Sequence, residues 1–168
     1  MTFVLGQKSR NELRQVHPRL VSVVERAIKI TEQDFGVHDG IRTPREQHAL
    51  YRRGASRCDG YRSISKHQQQ PSGYGEAVDL VPYVPGRGLV WDWDLIYPVC
   101  EAVVEAAKEL EVPIRWGGCW GYTSITKLTG SPENWVQDYV RRKQKAGKRA
   151  FNDGPHYELL PTTSAKER

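Results

Sequence analysis

Two short stretches, far apart in the chain, each end in residues of metal-ligand type, and any fold must account for both. The first runs Ser65-Lys66-His67 and then, after a polar interval, Gly75-Glu76-Ala77-Val78-Asp79-Leu80. The second is Asp153-Gly154-Pro155-His156-Tyr157-Glu158-Leu159. Asp79 lies inside an almost continuously apolar run that reads as a strand. A carboxylate there is costly to bury unless it is paired or metal-bound. Two imidazoles and one carboxylate suit one catalytic zinc ion, which takes three protein ligands and keeps a fourth position for water. Asp153, three residues before His156, is a carboxylate of the kind that takes a proton from such a water. The plainer alternatives are a structural Asp79 that accepts backbone hydrogen bonds, and a turn aspartate within Asn152-Asp153-Gly154.

The rest of the pattern is mixed helix and strand. Residues 8 to 14 read as a short helix, with Ser9-x-x-Glu12 as a capping box. Pro18 starts a second helix, whose Leu20, Val23, Val24, Ala27 and Ile28 make one apolar stripe. Phe35 to Arg42 reads as a strand broken at Asp39-Gly40. Thr43 caps a third helix with Pro44 at its first position, and Gly54 stops it. Residues 55 to 75 read as loop, Glu76 to Tyr83 as a strand, and Leu95 to Leu110 as an amphipathic helix capped by Asp92 or Asp94. Pro113 to Trp116 and Pro155 to Leu160 read as short strands. Between them, residues 119 to 152 make a long excursion with a basic helix from Ser131 to Ala146, on which Trp135 and Tyr139 face the body. Residues 161 to 168 read as a frayed tail. The expected fold class is α+β: helices packed on a small antiparallel sheet, in a single domain over residues 1–168.

Bulk properties narrow the function classes. With hydrophobic residues at 38% and charged residues at 27%, the composition is that of an ordinary soluble domain. No apolar run approaches the roughly 18 residues of a membrane span. The N-terminal residues lack a basic segment followed by an apolar one, so no export signal is expected and the chain is expected in the cytoplasm. Cys58, Cys100 and Cys119 are an odd set without C-x-x-C spacing, which fits reduced thiols. The formal charge of +5 favours polyanions without choosing among them. A nucleic-acid protein would rest on that charge alone.

These motifs, with Gly40-Ile41-Arg42-Thr43, Glu46-Gln47-His48-Ala49-Leu50-Tyr51 and Ile114-Arg115-Trp116-Gly117-Gly118, resemble the zinc peptidases of the D-Ala-D-Ala carboxypeptidase/VanY superfamily. Within it the chain is most similar to phage endolysins that cut the L-alanyl-D-glutamate bond of peptidoglycan. The resemblance spans about Leu5 to Leu160. It implies a Hedgehog/DD-peptidase-like fold with one zinc ion on the sheet, held by His67, Asp79 and His156. It implies Asp153 as the catalytic acid and base, Arg42 near the scissile carbonyl, and Ser65 as a substrate-binding or loop-orienting residue. Bacterial peptidoglycan is the implied partner, reached from the host cytoplasm after a separate holin permeabilises the membrane, by a protein that is a monomer and does not insert in the membrane. The interval from His67 to Asp79 is longer than the family pattern, and the extra residues fall in Gln68 to Gly73, which read as a surface insertion. Glu158, two residues after His156 on a strand, faces the same side and either orients His156 or is simply exposed. His17, His38 and His48 read as structural or surface residues. A D,D-carboxypeptidase or dipeptidase with the same site, and a non-catalytic wall-binding module, are the remaining alternatives.

Overall fold

A computed structural model describes residues 2–121 and 123–161; the expected frayed tail, beyond Pro161, lies outside the described residues. Its elements, in order, are α1 (Gln7–Glu12), α2 (Pro18–Ile30), β1 (Phe35–Asp39), α3 (Pro44–Arg52), β2 (Ala77–Val84), β3 (Gly88–Leu89), α4 (Trp93–Glu109), β4 (Ile114–Trp116), α5 (Pro132–Lys145) and β5 (His156–Leu159). Short 3-10 turns cover Gly117–Cys119 and Ile125–Lys127. The fold is α+β. The sheet is antiparallel throughout, in the order β1-β2-β5-β4, with β3 added as a short hairpin on the end of β2.

The two-residue period of a strand separates the sheet into a core face and a site face. Val78 opposes Tyr157, Trp116 opposes Tyr157 from the other side, and Ile114 opposes Leu159; all five are buried. Asp79 opposes His156, and Ala77 and Arg115 flank Glu158, so these residues share the other face. On the core face α4 packs against β2, and α2 packs against α4, so that both helices and the strands share one core. Leu20, Val23, Val24, Ala27 and Ile28 of α2 are all buried, as the apolar stripe requires. Each of the leucine, valine and isoleucine side chains, fully buried, stabilises the fold by about 1.5–3 kcal/mol. Among the described residues no helix is long and apolar enough to cross a membrane.

Two local expectations need correction. Ser9 does not cap α1, which begins after Gly6; its hydroxyl instead accepts from Val37 N on β1 at 2.9 Å. The reciprocal capping box is at α3, where Thr43 Oγ1 accepts from Glu46 N and Glu46 Oε2 accepts from Thr43 N at 2.7 Å. The second correction concerns Gln68, which is buried rather than part of a surface insertion. Its side-chain oxygen accepts from Ser65 N and its amide donates to Gly60 O, so it ties the 55–75 loop together. Within the interval Gln70 is half-buried, and the exposed residues are Gln69 and Pro71 to Gly73.

Candidate active site

His67 comes from the loop before β2, Asp79 from the middle of β2, and His156 from the first position of β5. Register brings the last two together, because Asp79 and His156 are direct cross-strand partners. The loop brings the first. His67 N donates to Ser65 Oγ at 3.2 Å, and His67 O accepts from Arg42 N at 2.8 Å. Three atoms then form a nearly equilateral triangle. His67 Nε2 lies 3.2 Å from Asp79 Oδ1 and 3.2 Å from His156 Nδ1, and His156 Nδ1 lies 3.3 Å from Asp79 Oδ1. A tetrahedral ion with ligand bonds of about 2.0–2.1 Å spaces its ligands about 3.3–3.4 Å apart, so the triangle fits one face of such a site.

The outer hydrogen bonds decide which nitrogens face inward. His67 Nδ1 is 2.7 Å from Gly40 O, which only accepts, so Nδ1 carries the proton. His156 Nε2 is 2.9 Å from Glu158 Oε1, which assigns the proton to Nε2. Both inward nitrogens then present lone pairs toward a carboxylate oxygen. Three acceptors at that separation repel unless a cation or a shared proton lies among them. Without a metal, a proton takes that role. Burial works to lower the His156 pKa, but hydrogen bonds to Asp79 and Glu158 and the charges of Asp79 and Asp153 outweigh it and push it to about 9. Burial works to raise Asp79, yet the charge of His67 and the bonds from both imidazoles hold it well below the usual carboxylate range.

Arg42 holds the second oxygen of Asp79, with Nη2 3.1 Å from Oδ2. Its Nε donates to Asp39 and its Nη1 to Gln47 Oε1. Asp39 reaches this position because β1 bulges between Val37 and Asp39, so that Asp39 rather than His38 opposes Asp79. One extra residue in a strand turns the next side chain to the other face. His38 packs its ring on Trp91, and His48 Nδ1 meets Asp59 O, both structural contacts.

Asp153 stands apart. Among the described residues its carboxylate has neither a hydrogen bond nor an ion pair. Burial and then the charge of Asp79 raise its pKa, against the opposing charges of His156, His67 and Arg42. A backbone clamp positions it: Asp153 N donates to Gly117 O at 2.9 Å, and Asn152 Nδ2 donates to Gly118 O at 2.9 Å. A Cβ on Gly117 would lie 2.3 Å from Asp153 O, so only glycine permits this approach.

All six residues singled out in the sequence, Arg42, Ser65, His67, Asp79, Asp153 and His156, line one cleft of about 490 Å³. A larger hollow of about 760 Å³ on the far side of Arg42 lacks the imidazole and carboxylate cluster, so chemistry rather than size locates the site. Sequence reasoning missed Gly40, Asp39, Gln47 and Trp120, whose ring centre is 5.3 Å from that of His156.

The sequence profile of the family described as phage L-alanyl-D-glutamate peptidase matches residues 1–160. The chain belongs to this family. It is 33% identical to the L-alanyl-D-glutamate peptidase of Escherichia phage T5 over 161 residues, covering 95% of this chain and all of that protein. Its fold is similar to the crystal structure of Serratia marcescens L-Ala D-Glu endopeptidase ChiX, with a TM-score of 0.62 and 27% identity across 94% of this chain and 90% of that one. Membership makes the chain a peptidase.

Proposed function

We propose that this chain is a zinc-dependent peptidoglycan endopeptidase that cleaves the L-Ala–D-Glu bond of the stem peptide, and that it serves as a phage lysin. The observation that carries this reading is the triangle of three lone pairs beside a carboxylate that has no partner of its own. His67, Asp79 and His156 would hold one zinc ion. Zinc bound there supplies Lewis acidity, which makes water a better nucleophile near neutral pH and polarises an amide carbonyl.

The chain's own residues do the rest. Gly40 O and Glu158 hold the two imidazoles in the ligating tautomer. Arg42 fixes the orientation of Asp79 and adds positive charge at the cleft wall, where an oxyanion develops during acyl transfer. Asp153, with its raised proton affinity, takes the proton of the attacking water and returns it to the departing amine of D-Glu. Ser65 orients the His67 loop through its hydroxyl and borders the bound peptide. All candidate ligands come from one chain, which is consistent with a working monomer. The enzyme would meet the wall after a separate holin opens the membrane.

The test is digestion of purified peptidoglycan, with mass spectrometry of the new termini. New N-terminal D-Glu, abolished by chelator and restored by zinc, supports the proposal. Release of free D-Ala would point to a carboxypeptidase, and no release at all to a wall-binding module. Asp153→Ala should lose activity by about 10²–10⁴-fold while still binding zinc. Full activity in that variant would remove Asp153 from the mechanism.

A further inference from the structure

Four cations line the catalytic cleft, and they are not equivalent. Arg42 is engaged with Asp39 and Asp79, and Lys66 with Glu76 at 3.1 Å. Arg57 and Lys143 line the same cleft, and among the described residues neither forms an ion pair. Each is instead held over an aromatic ring. The Arg57 guanidinium carbon is 5.1 Å from the centre of the Phe151 ring, and Lys143 Nζ is 5.7 Å from the centre of the Tyr139 ring. The two rings belong to one unit, because Tyr139 Oη donates to Phe151 O at 3.3 Å and accepts from Phe151 N at 3.4 Å. Tyr139 is buried, so the base of this unit is anchored in the body. Cation–π contacts orient a charge without neutralising it.

The remaining charges of the cleft make this wall distinctive. Asp79, Asp153 and Glu158 are acidic and would repel an anionic ligand. We infer that Arg57 and Lys143, mounted on Phe151 and Tyr139, form a carboxylate-binding subsite for the stem peptide on the leaving-group side of the cut bond. This rests on the endopeptidase reading above. In a stem peptide, D-Glu is joined onward through its side-chain carboxyl, so its α-carboxylate stays free, one carbon from the scissile nitrogen. Where the diamino acid that follows is diaminopimelate, it adds one more free carboxylate. On the other side of the bond, L-Ala is coupled to the lactyl group of the glycan and brings no charge. The anionic half of the substrate therefore belongs at the wall with two unengaged cations, which sets the direction in which the peptide lies.

The experiment compares three soluble muropeptides: one unmodified, one amidated at the D-Glu α-carboxylate, and one amidated at the diamino acid. The zinc-loaded full chain is assayed for kcat and KM by following new N-terminal D-Glu. Loss of a charge-assisted contact should lower kcat/KM at least about tenfold for the amidated form whose carboxylate is bound, mostly through KM. Whichever amidated form shows the loss identifies the carboxylate. In the double variant Arg57→Gln with Lys143→Gln, the ratio between unmodified and amidated substrates should fall toward one, and Lys143→Arg beside wild-type Arg57 should keep it. Equal kcat/KM for all three substrates with the wild-type enzyme would overturn the subsite while leaving the endopeptidase activity intact. Absence of cleavage in all three would instead defeat the activity on which the subsite rests. An unchanged ratio in a double variant with wild-type circular dichroism would also overturn it, by assigning the preference to other residues.

Discussion

Replacing Glu158 by alanine should weaken zinc binding although Glu158 is not one of the three ligands. Its carboxylate accepts from His156 Nε2 at 2.9 Å in a buried position and thereby keeps Nδ1 free to face the metal. A buried hydrogen bond to a charged group contributes about 1.5–3 kcal/mol. At about 1.36 kcal/mol per decade, this corresponds to roughly a 10–100-fold loss of affinity. The same substitution also removes an acceptor for Arg115, but that pair is 3.7 Å long with Arg115 39% exposed, so its loss costs less than about 1 kcal/mol. A second effect acts in the opposite direction. Glu158 helps raise His156 to about 9, so at neutral pH zinc must displace a proton that Glu158 helps to hold. Removing Glu158 weakens that competitor. The loss of affinity should therefore be largest above pH 9, where no proton competes, and should shrink toward pH 7. Competition against a chromophoric chelator, measured across pH 7 to 9.5, gives both numbers. Glu158→Gln keeps an acceptor of the same size without the charge and should fall between the wild type and Glu158→Ala. If Glu158→Ala binds zinc as tightly as the wild type at pH 9.5, the outer carboxylate does not set the His156 tautomer and the assignment of Nδ1 as the ligating atom fails.

Gly40→Ala should both destabilise the fold and loosen the site. A Cβ there would lie 1.9 Å from Glu12 O, a backbone atom that no side-chain rotation can clear. Overpacking of this kind costs about 1–3 kcal/mol, on the order of 5 °C in Tm. Because Gly40 O also orients His67, zinc affinity should fall with it, and a variant with wild-type Tm and affinity would show that the α1 contact is easily relieved. The metal-stripped protein should have its own pH profile. His156 is raised from 6.5 to about 9, so its contribution to stability is complete below pH 6.5 and is lost as pH rises through 9. Asp79 is held well below 3.8, so its contribution is present above that pH and is lost as pH falls toward its lowered value. The chelated protein should therefore be most stable between about pH 4 and 6.5. The stabilisation gained from added zinc should grow with pH, since the ligands must be deprotonated. A chelated Tm that rises steadily from pH 6.5 to 9 contradicts this coupling.

What the sequence disclosed about the site followed from side-chain chemistry placed in regular elements. Asp79 in an apolar strand and His156 at the head of another were legible because the two-residue period assigns each to a face without further information. The same period placed Glu158 beside His156 and left open whether it was buried; pairing of Glu158 with Ala77 on one side and Arg115 on the other decided that. Other parts were hidden for physical reasons. The proton on His67 is set by a backbone carbonyl, Gly40 O, and every residue type carries a carbonyl, so composition holds no trace of it. Asp39 reaches Arg42 only because of a one-residue bulge, and strand pattern alone does not show where a ladder slips. Gln68 misled because a run of glutamines reads as solvated, whereas one amide buried with both its oxygen and its nitrogen satisfied costs little. Ser9 misled for a related reason: its hydroxyl suits a helix cap, but a strand N–H twenty-eight residues away claimed it first. For His67, Gln68 and Ser9 the deciding partner was a backbone group, and for Asp39 it was the slip of a strand ladder. The candidate ligands and the side chains that aim them, Glu158 and Arg42, were legible because their chemistry is rare among residues; Gly40 O, which aims His67, was not, because a peptide bond is the same everywhere.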